Sequence, residues 1–368
     1  MNEPFSPRIR QISSGSPFIG PETLERMRGG AFTARLGANE SVFGPSPKVI
    51  EAVGRAAADG WMYGDPEQFE LREALAEHLG LAVGNILCGT GIDGLLRDLV
   101  AACCEPGDSV LASLGSYPTF TYFAGAAGVR VETVPYQSDF RQDLQALAES
   151  AERIRPRILY LTNPDNPTGS YWQASDIETL IERVPEETLI ALDEAYCEFA
   201  PASAMLEAGF IRPNLLRFRT FSKAYGMAGF RLGYVFGDPG DIRQFNKIRD
   251  HFSLSRLAQV AGIAALADQD HLRTVLDLVA DGRERLTRAA ERHGLTPLPS
   301  AANFVAMAVA GDAQYTGELA ERIEASGVFI RRPRAKGLDN LLRISVGTAS
   351  DAQVFEDALE RALHHREA

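Results

Sequence analysis

Cysteine is scarce in this 368-residue chain. Cys88, Cys103, Cys104 and Cys197 show no framework spacing, and the adjacent pair sits in the apolar run DLVAACC. Buried, reduced thiols follow from that pattern, and with them a cytoplasmic protein. No run of about 18 uncharged apolar residues occurs, and the N-terminal MNEPFSPRIRQISSGSP lacks the apolar core of a signal peptide, so neither a membrane span nor secretion is expected. The six histidines, His78, His251, His271, His293, His364 and His365, have no metal-like spacing with carboxylates, so no metal site is expected. Positive charge is in deficit: 37 Lys plus Arg against 49 Asp plus Glu leave a net charge of -12. An acidic surface disfavours nucleic acid and anionic membranes as partners, while a local basic pocket for a phosphate stays open. What is present is ordinary globular composition, 45% apolar and 23% charged. That suffices for a substantial core without disulfide or metal staples, in one large domain or two unequal ones.

Short apolar runs alternate with helix-length amphipathic segments, the pattern of an α/β domain built on a mainly parallel sheet. Seven strands are expected at 86–88, 109–113, 130–134, 157–161, 188–193, 215–219 and 232–236, with helical periodicity at 94–104, 143–153 and 175–183. After Gly240 the segments QFNKIRD, RLAQVAGIAALAD and HLRTVLDLVADGRERLTRAAERHG read as helices, and strand-like runs return at 303–308, 328–331 and 341–346. These predict a smaller C-terminal α+β domain with its boundary between residues 240 and 285.

Five chemically loaded segments fall just after expected strands: GTGID, SYPTF, TNPDNPTG, DEAY and TFSK. In an open α/β sheet the ligand crevice lies outside the carboxyl ends of the strands, so the five point to one composite site. Gly89 to Gly94 matches G-x-G-x-x-G, but the next strand ends without the acidic residue that a nicotinamide cofactor's ribose needs. The glycines still let backbone N–H groups at a helix start approach a phosphate. Lys223 follows Thr220 and Ser222, and Arg231 comes eight residues later, a donor set suited to a phosphate dianion. A lysine kept from bulk water can act as a Schiff-base nucleophile, although a lone lysine is more commonly a surface residue. Asp193 ends a strand, where a carboxylate can pair with a buried ring nitrogen or cap a helix. Two prolines stiffen the loop that carries Asn166.

Together ARLGANESVFGPSP, GTGID, SYPTF, NPDNPTG, DEAY, FSKAYGMAGFRLG and LLRISVGT resemble the fold-type I pyridoxal-phosphate aminotransferases of class I/II, in the histidinol-phosphate aminotransferase branch. The resemblance covers roughly residues 35 to 350. It implies an aspartate aminotransferase-like fold: an N-terminal arm over 1–35, a large cofactor-binding domain over 36–240 with the seven-stranded sheet, an interdomain helical region over 241–285, and a small domain over 286–368. It implies pyridoxal 5'-phosphate held by a Schiff base to Lys223, which then shuttles a proton between the substrate Cα and cofactor C4′. Asp193 would keep the pyridine nitrogen protonated, Tyr196 and Asn166 would bond the phenolic oxygen, and Phe120 would stack on the ring. The phosphate would rest on the Gly91, Ile92 and Asp93 backbone with Thr220, Ser222 and Arg231, joined by Tyr63 from a neighbouring subunit in a homodimer with shared sites. Arg343, with Arg331 as a second candidate, would bind the substrate's anionic group, and Asn39 with Glu40 would help cover the site. The reaction implied is ping-pong transamination of an anionic amino compound with 2-oxoglutarate and glutamate, without a metal. An aromatic or specialised amino-acid aminotransferase and a threonine-phosphate decarboxylase-like enzyme are the alternatives.

Three positions depart from the branch. Asn39-Glu40-Ser41-Val42 stands where NENP is common, Phe18 replaces an N-terminal tyrosine, and Ile92 occupies a place usually held by a small or hydroxyl residue.

Overall fold

The computed structural model describes residues 4–12 and 19–364, so Phe18 and His365 lie outside the described residues. Among the described residues, twelve strands form three sheets: β1 Ala34–Arg35, β2 Ile86–Gly89, β3 Ser109–Ser113, β4 Arg130–Val134, β5 Ile158–Thr162, β6 Leu189–Asp193, β7 Leu215–Thr220, β8 Gly233–Gly237, β9 Thr296–Pro297, β10 Phe304–Ala308, β11 Val328–Phe329 and β12 Leu341–Ser345. The seven-stranded sheet runs in the order β2-β8-β7-β6-β5-β3-β4, with β8 antiparallel to both neighbours and every other pairing parallel.

The central strands are near-continuous runs of Val, Ile and Leu because both faces of the sheet are covered. Alternation then sorts the side chains. Val110, Ile158, Tyr160, Ala191, Phe218 and Val235 pack on one face with Leu95, Leu96 and Leu99 of the helix Gly91–Cys103. Leu111, Leu159, Leu161, Ile190, Leu192 and Leu215 pack on the other against the helices Leu144–Ile154 and Ala174–Arg183. The edge strand β4 buries only Val134.

The C-terminal region is an antiparallel sheet, β12-β10-β9, on which the long helix Gln269–Arg292 packs, with the helices Ala313–Ala325 and Ala349–His364 beside it. Gly282 sits where that long helix meets the chain after β12: a Cβ there would stand 2.3 Å from Val346 Cγ1. The segment before the large sheet also belongs to this region in space. β1 pairs in parallel with β11, and the Ser345 N–H donates to the Leu36 carbonyl at 2.8 Å.

Two expectations are corrected. QFNKIRD is not a helix of its own: the helix is Pro239–Phe245, and residues 246–249 turn. Ile242 and Phe245 are its only buried apolar side chains, and Ile248 is exposed, so no stripe carries the helix onward. The run at 328–331 is a strand only over Val328–Phe329, after which Arg331 makes an isolated bridge to Arg343.

Candidate active site

The segments that leave the carboxyl ends of β2, β3, β5, β6 and β7 line one cavity of about 320 Å³. Each reaches it by a local rule. After β2 the chain turns at Gly91, whose φ of 73° lies in the left-handed region, and enters the helix Gly91–Cys103 with its first N–H groups free of helical partners. A Cβ at Gly91 would lie 2.5 Å from Arg231 Nη2, so glycine keeps this cradle open. Arg231 Nη2 stands 3.5 Å from Asp93 Oδ2, and its Nη1 lies 3.5 Å from Ser222 Oγ. Thr220 Oγ1 accepts from the Ser222 N–H and donates to Ser222 Oγ, both at 3.0 Å. Ile92, Asp93, Thr220, Ser222 and Arg231 all line the cavity.

Lys223 lines the same cavity and donates to the Asn39 carbonyl at 3.2 Å. Removal from bulk water, then repulsion from Arg343, pulls its amine down to about 8. Asp193 ends β6, is 4% exposed, and accepts from the Ala195 N–H on Oδ1 at 3.0 Å and from the Tyr160 hydroxyl on Oδ2 at 2.7 Å. Burial pushes Asp193 up to about 6. The Tyr196 oxygen accepts from the Asn39 amide at 3.0 Å and the Asn166 amide at 3.3 Å, while burial pushes its phenol up to about 12.

A second cavity, of about 520 Å³, shares Tyr117 and Asn166 with the first and adds Arg331, Arg343 and Glu324 to its wall. Arg343 Nη1 donates to Asn166 Oδ1 at 2.6 Å and Nη2 to the Gly37 carbonyl at 2.8 Å, leaving its buried Nε without a hydrogen-bond partner. Burial pulls this guanidinium down to about 10. Arg331 exchanges backbone hydrogen bonds with Arg343 and donates from Nη2 to the Ile19 carbonyl.

Three expected site residues sit elsewhere. Phe120 does not reach the cavity: it is fully buried and stacked on Tyr160, with ring centroids 4.7 Å apart. Pro118 opens the helix Pro118–Ala127, so Tyr117 is left at its N-cap facing the cavity while Phe120, inside the first turn, faces the core. The aromatic wall is therefore Tyr117, whose hydroxyl donates to Asp93 at 3.0 Å. Asn39 stands behind the wall formed by Ala38 and Glu40, with its amide turned to Tyr196 and its oxygen accepting from Ser345. Tyr63 is 76% exposed, packs on Phe252, and does not line the cavity. Tyr160 and Tyr117 are the residues that sequence reasoning missed. The Tyr-Pro step marks Tyr117 as a helix N-cap, but a tyrosine inside an apolar strand gives no sign of its partner.

The pocket fits a phosphorylated pyridine aldehyde. It has an amine of lowered basicity, a buried acid for a ring nitrogen, amides at a phenol, and a glycine cradle beside Thr220, Ser222 and Arg231. This is the equipment of pyridoxal-phosphate-dependent transamination. Residues 33–361 match the family of aminotransferase class I and II, and the chain belongs to it. It is 33% identical to a histidinol-phosphate aminotransferase of Moorella thermoacetica, over 97% of this chain and 93% of that one. It is 37% identical to an aromatic amino acid aminotransferase of Rhodococcus jostii, over 87% and 88%. A crystal structure of histidinol-phosphate aminotransferase from Sinorhizobium meliloti in complex with pyridoxal-5'-phosphate is 45% identical, with a TM-score of 0.95 over 99% of this chain and 98% of that one. The protein is a fold-type I pyridoxal-phosphate-dependent aminotransferase.

Proposed function

We propose that this aminotransferase acts on histidinol phosphate, with 2-oxoglutarate and glutamate as the exchanging pair. The observation that carries the reading is the second cavity: Arg331 and Arg343 stand side by side at its wall, and it shares Tyr117 and Asn166 with the Lys223 pocket. A guanidinium pair with a free buried N–H suits a phosphate or carboxylate held at a distance from the reacting amine.

Bound pyridoxal phosphate supplies the aldehyde carbon that takes up an amine and a ring that accepts electrons from the substrate Cα. Lys223 would hold the cofactor and move the proton at the substrate Cα; its lowered basicity leaves part of the amine neutral near pH 7. Asp193 holds a proton at the ring nitrogen, and Asn166 with Tyr196 orients the ring through its phenolic oxygen. Asn39 fixes Tyr196, and Tyr117 covers one ring face. The Gly91, Ile92 and Asp93 backbone binds the phosphate with Thr220, Ser222 and Arg231.

The same reading makes the enzyme a cytoplasmic homodimer in which Tyr63 of each copy reaches the other's phosphate. Trp61, Tyr63, Phe69 and Phe252 support it, an apolar group left exposed on one chain. It divides the chain into an arm over 1–35, a cofactor domain over 36–240, a helical link over 241–285 and a small domain over 286–368.

The test is the visible absorption of the loaded enzyme. Histidinol phosphate is expected to bleach the yellow form and 2-oxoglutarate to restore it. Bleaching by aromatic amino acids alone overturns the substrate and keeps the chemistry, and release of carbon dioxide overturns transamination.

A further inference from the structure

Tyr160 is fully buried in the middle of β5, where its ring belongs to the apolar cluster on that face of the sheet. A phenylalanine would fill that space as well, stacked on Phe120 in the same way. A buried hydroxyl is costly unless it is partnered, and this one spends its hydrogen on Asp193 Oδ2 at 2.7 Å. The register explains the contact. In the parallel pair β5 and β6, Tyr160 faces Ala191 and Thr162 faces Asp193, so Tyr160 and Asp193 point to the same side, two positions apart. The tyrosine is long enough to span that diagonal and meets the carboxylate from the side.

The surroundings of Asp193 otherwise favour loss of its charge. Asp93 on the helix after β2 and Glu194, just past the end of β6, both repel it, and Glu194 is committed to Arg217 and Arg219. Glu40 before the large sheet, Tyr117 after β3, Tyr196 after β6, and Lys223 and Arg231 after β7 are the other ionisable groups that line the cavity. Among the described residues, this carboxylate accepts from the Ala195 N–H and the Tyr160 hydroxyl.

We propose that Tyr160 is a positioning residue for Asp193: its hydroxyl keeps the carboxylate ionised and fixes its plane, so that the remaining lone pairs meet the cofactor's ring nitrogen. The proposal rests on the reading of Asp193 as that nitrogen's partner. Burial and the two neighbouring carboxylates raise Asp193, and the Tyr160 bond opposes them, so removing the bond raises it further.

Tyr160→Phe keeps the ring and its stack. In the cofactor-free protein, the Asp193 carboxyl band in infrared difference spectra, assigned with Asp193→Asn, is expected to titrate roughly one to two pH units higher in Tyr160→Phe. In the loaded enzyme the acidic limb of kcat/KM moves up with it, and kcat falls about ten-fold with the substrate KM nearly unchanged. The nitrogen-15 shift of ring-labelled pyridoxal phosphate moves toward the unprotonated form. Incorporating 3-fluorotyrosine at position 160, a stronger donor that retains the shape, is expected to shift the Asp193 titration the opposite way and keeps the test open if Tyr160→Phe folds poorly. An Asp193 titration and ring-nitrogen shift unmoved by either change, while Asp193→Asn moves the ring shift, overturn the Tyr160 proposal alone. A ring shift unmoved by Asp193→Asn overturns the reading beneath it, and the proposal with it.

Discussion

Lys223 and Asp193 are shifted in opposite directions by one cause, removal from water, and the signs make separate predictions. With its amine at about 8, the lysine is expected to capture pyridoxal phosphate faster as pH rises through that value, followed by the growth of visible absorbance in the cofactor-free protein. Lys223→Ala abolishes that absorbance and lowers turnover by roughly 10²- to 10⁴-fold. Asp193 titrates at about 6 in the fold against about 3.9 unfolded, so the folded protein holds a proton between those values that the unfolded chain has lost. Its contribution to cofactor-free stability therefore falls as pH rises from about 4 to 6. Asp193→Asn is expected to flatten that slope in urea titrations and to gain stability on the order of 2 kcal/mol at pH 7, while losing turnover. The two aromatic positions after β3 separate in the same manner. Phe120→Ala removes a stacked core ring and costs about 3–5 kcal/mol in unfolding. Tyr117→Ala is expected to leave the unfolding midpoint close to wild type and to weaken cofactor binding by equilibrium dialysis. That Lys223, Asp193, Asn166 and Arg231 line one cavity was legible because each lies in a motif at or just beyond the end of a strand of the large sheet. Phe120 was misread because the motif SYPTF offers two rings, and only the start of the helix at Pro118 decides which one faces inward.

Among the elements, the strands of the large sheet were legible to within a residue or two because burial on both faces leaves short, mostly apolar runs. The short pairing of β1 with β11 was not, since two residues carry no periodicity. Nor was the end of the helix Pro239–Phe245, where a polar stretch follows without a glycine or proline to mark it. The start of the helix Gly91–Cys103 combines a left-handed turn with a close approach to Arg231, so Gly91→Ala is expected to strain the cradle by roughly 1–3 kcal/mol. Its measurement is the dissociation constant of the cofactor phosphate, with inorganic phosphate as competitor. Glu194 receives bonds from both Arg217 and Arg219 at the end of β6 and is itself buried. Glu194→Gln leaves the buried Arg217 and the partly buried Arg219 undercompensated and is expected to destabilise the protein by about 3–5 kcal/mol, read from denaturant unfolding.

At the scale of the whole molecule, a shared-site dimer predicts a sedimenting species twice the 40.0 kDa of one chain. Trp61→Asp, in the exposed apolar group, is expected to shift that species toward the single chain and to lower cofactor affinity through loss of the second copy's Tyr63. One further consequence concerns the order in which the chain is made. Asn39 accepts from Lys223 through its carbonyl, yet its amide N–H and side chain are bonded to Ser345, and Leu36 is tied to Phe329 and Ser345. On the ribosome, every strand of the large sheet is complete by Gly237, more than a hundred residues before Ser345 appears. The lysine thus emerges and packs with its sheet while the segment that will close over it still lacks its anchor. A chain truncated before β12 keeps Lys223 but lacks Ser345, the anchor of Asn39, and is expected to capture the cofactor more slowly than the full chain, followed by the growth of visible absorbance.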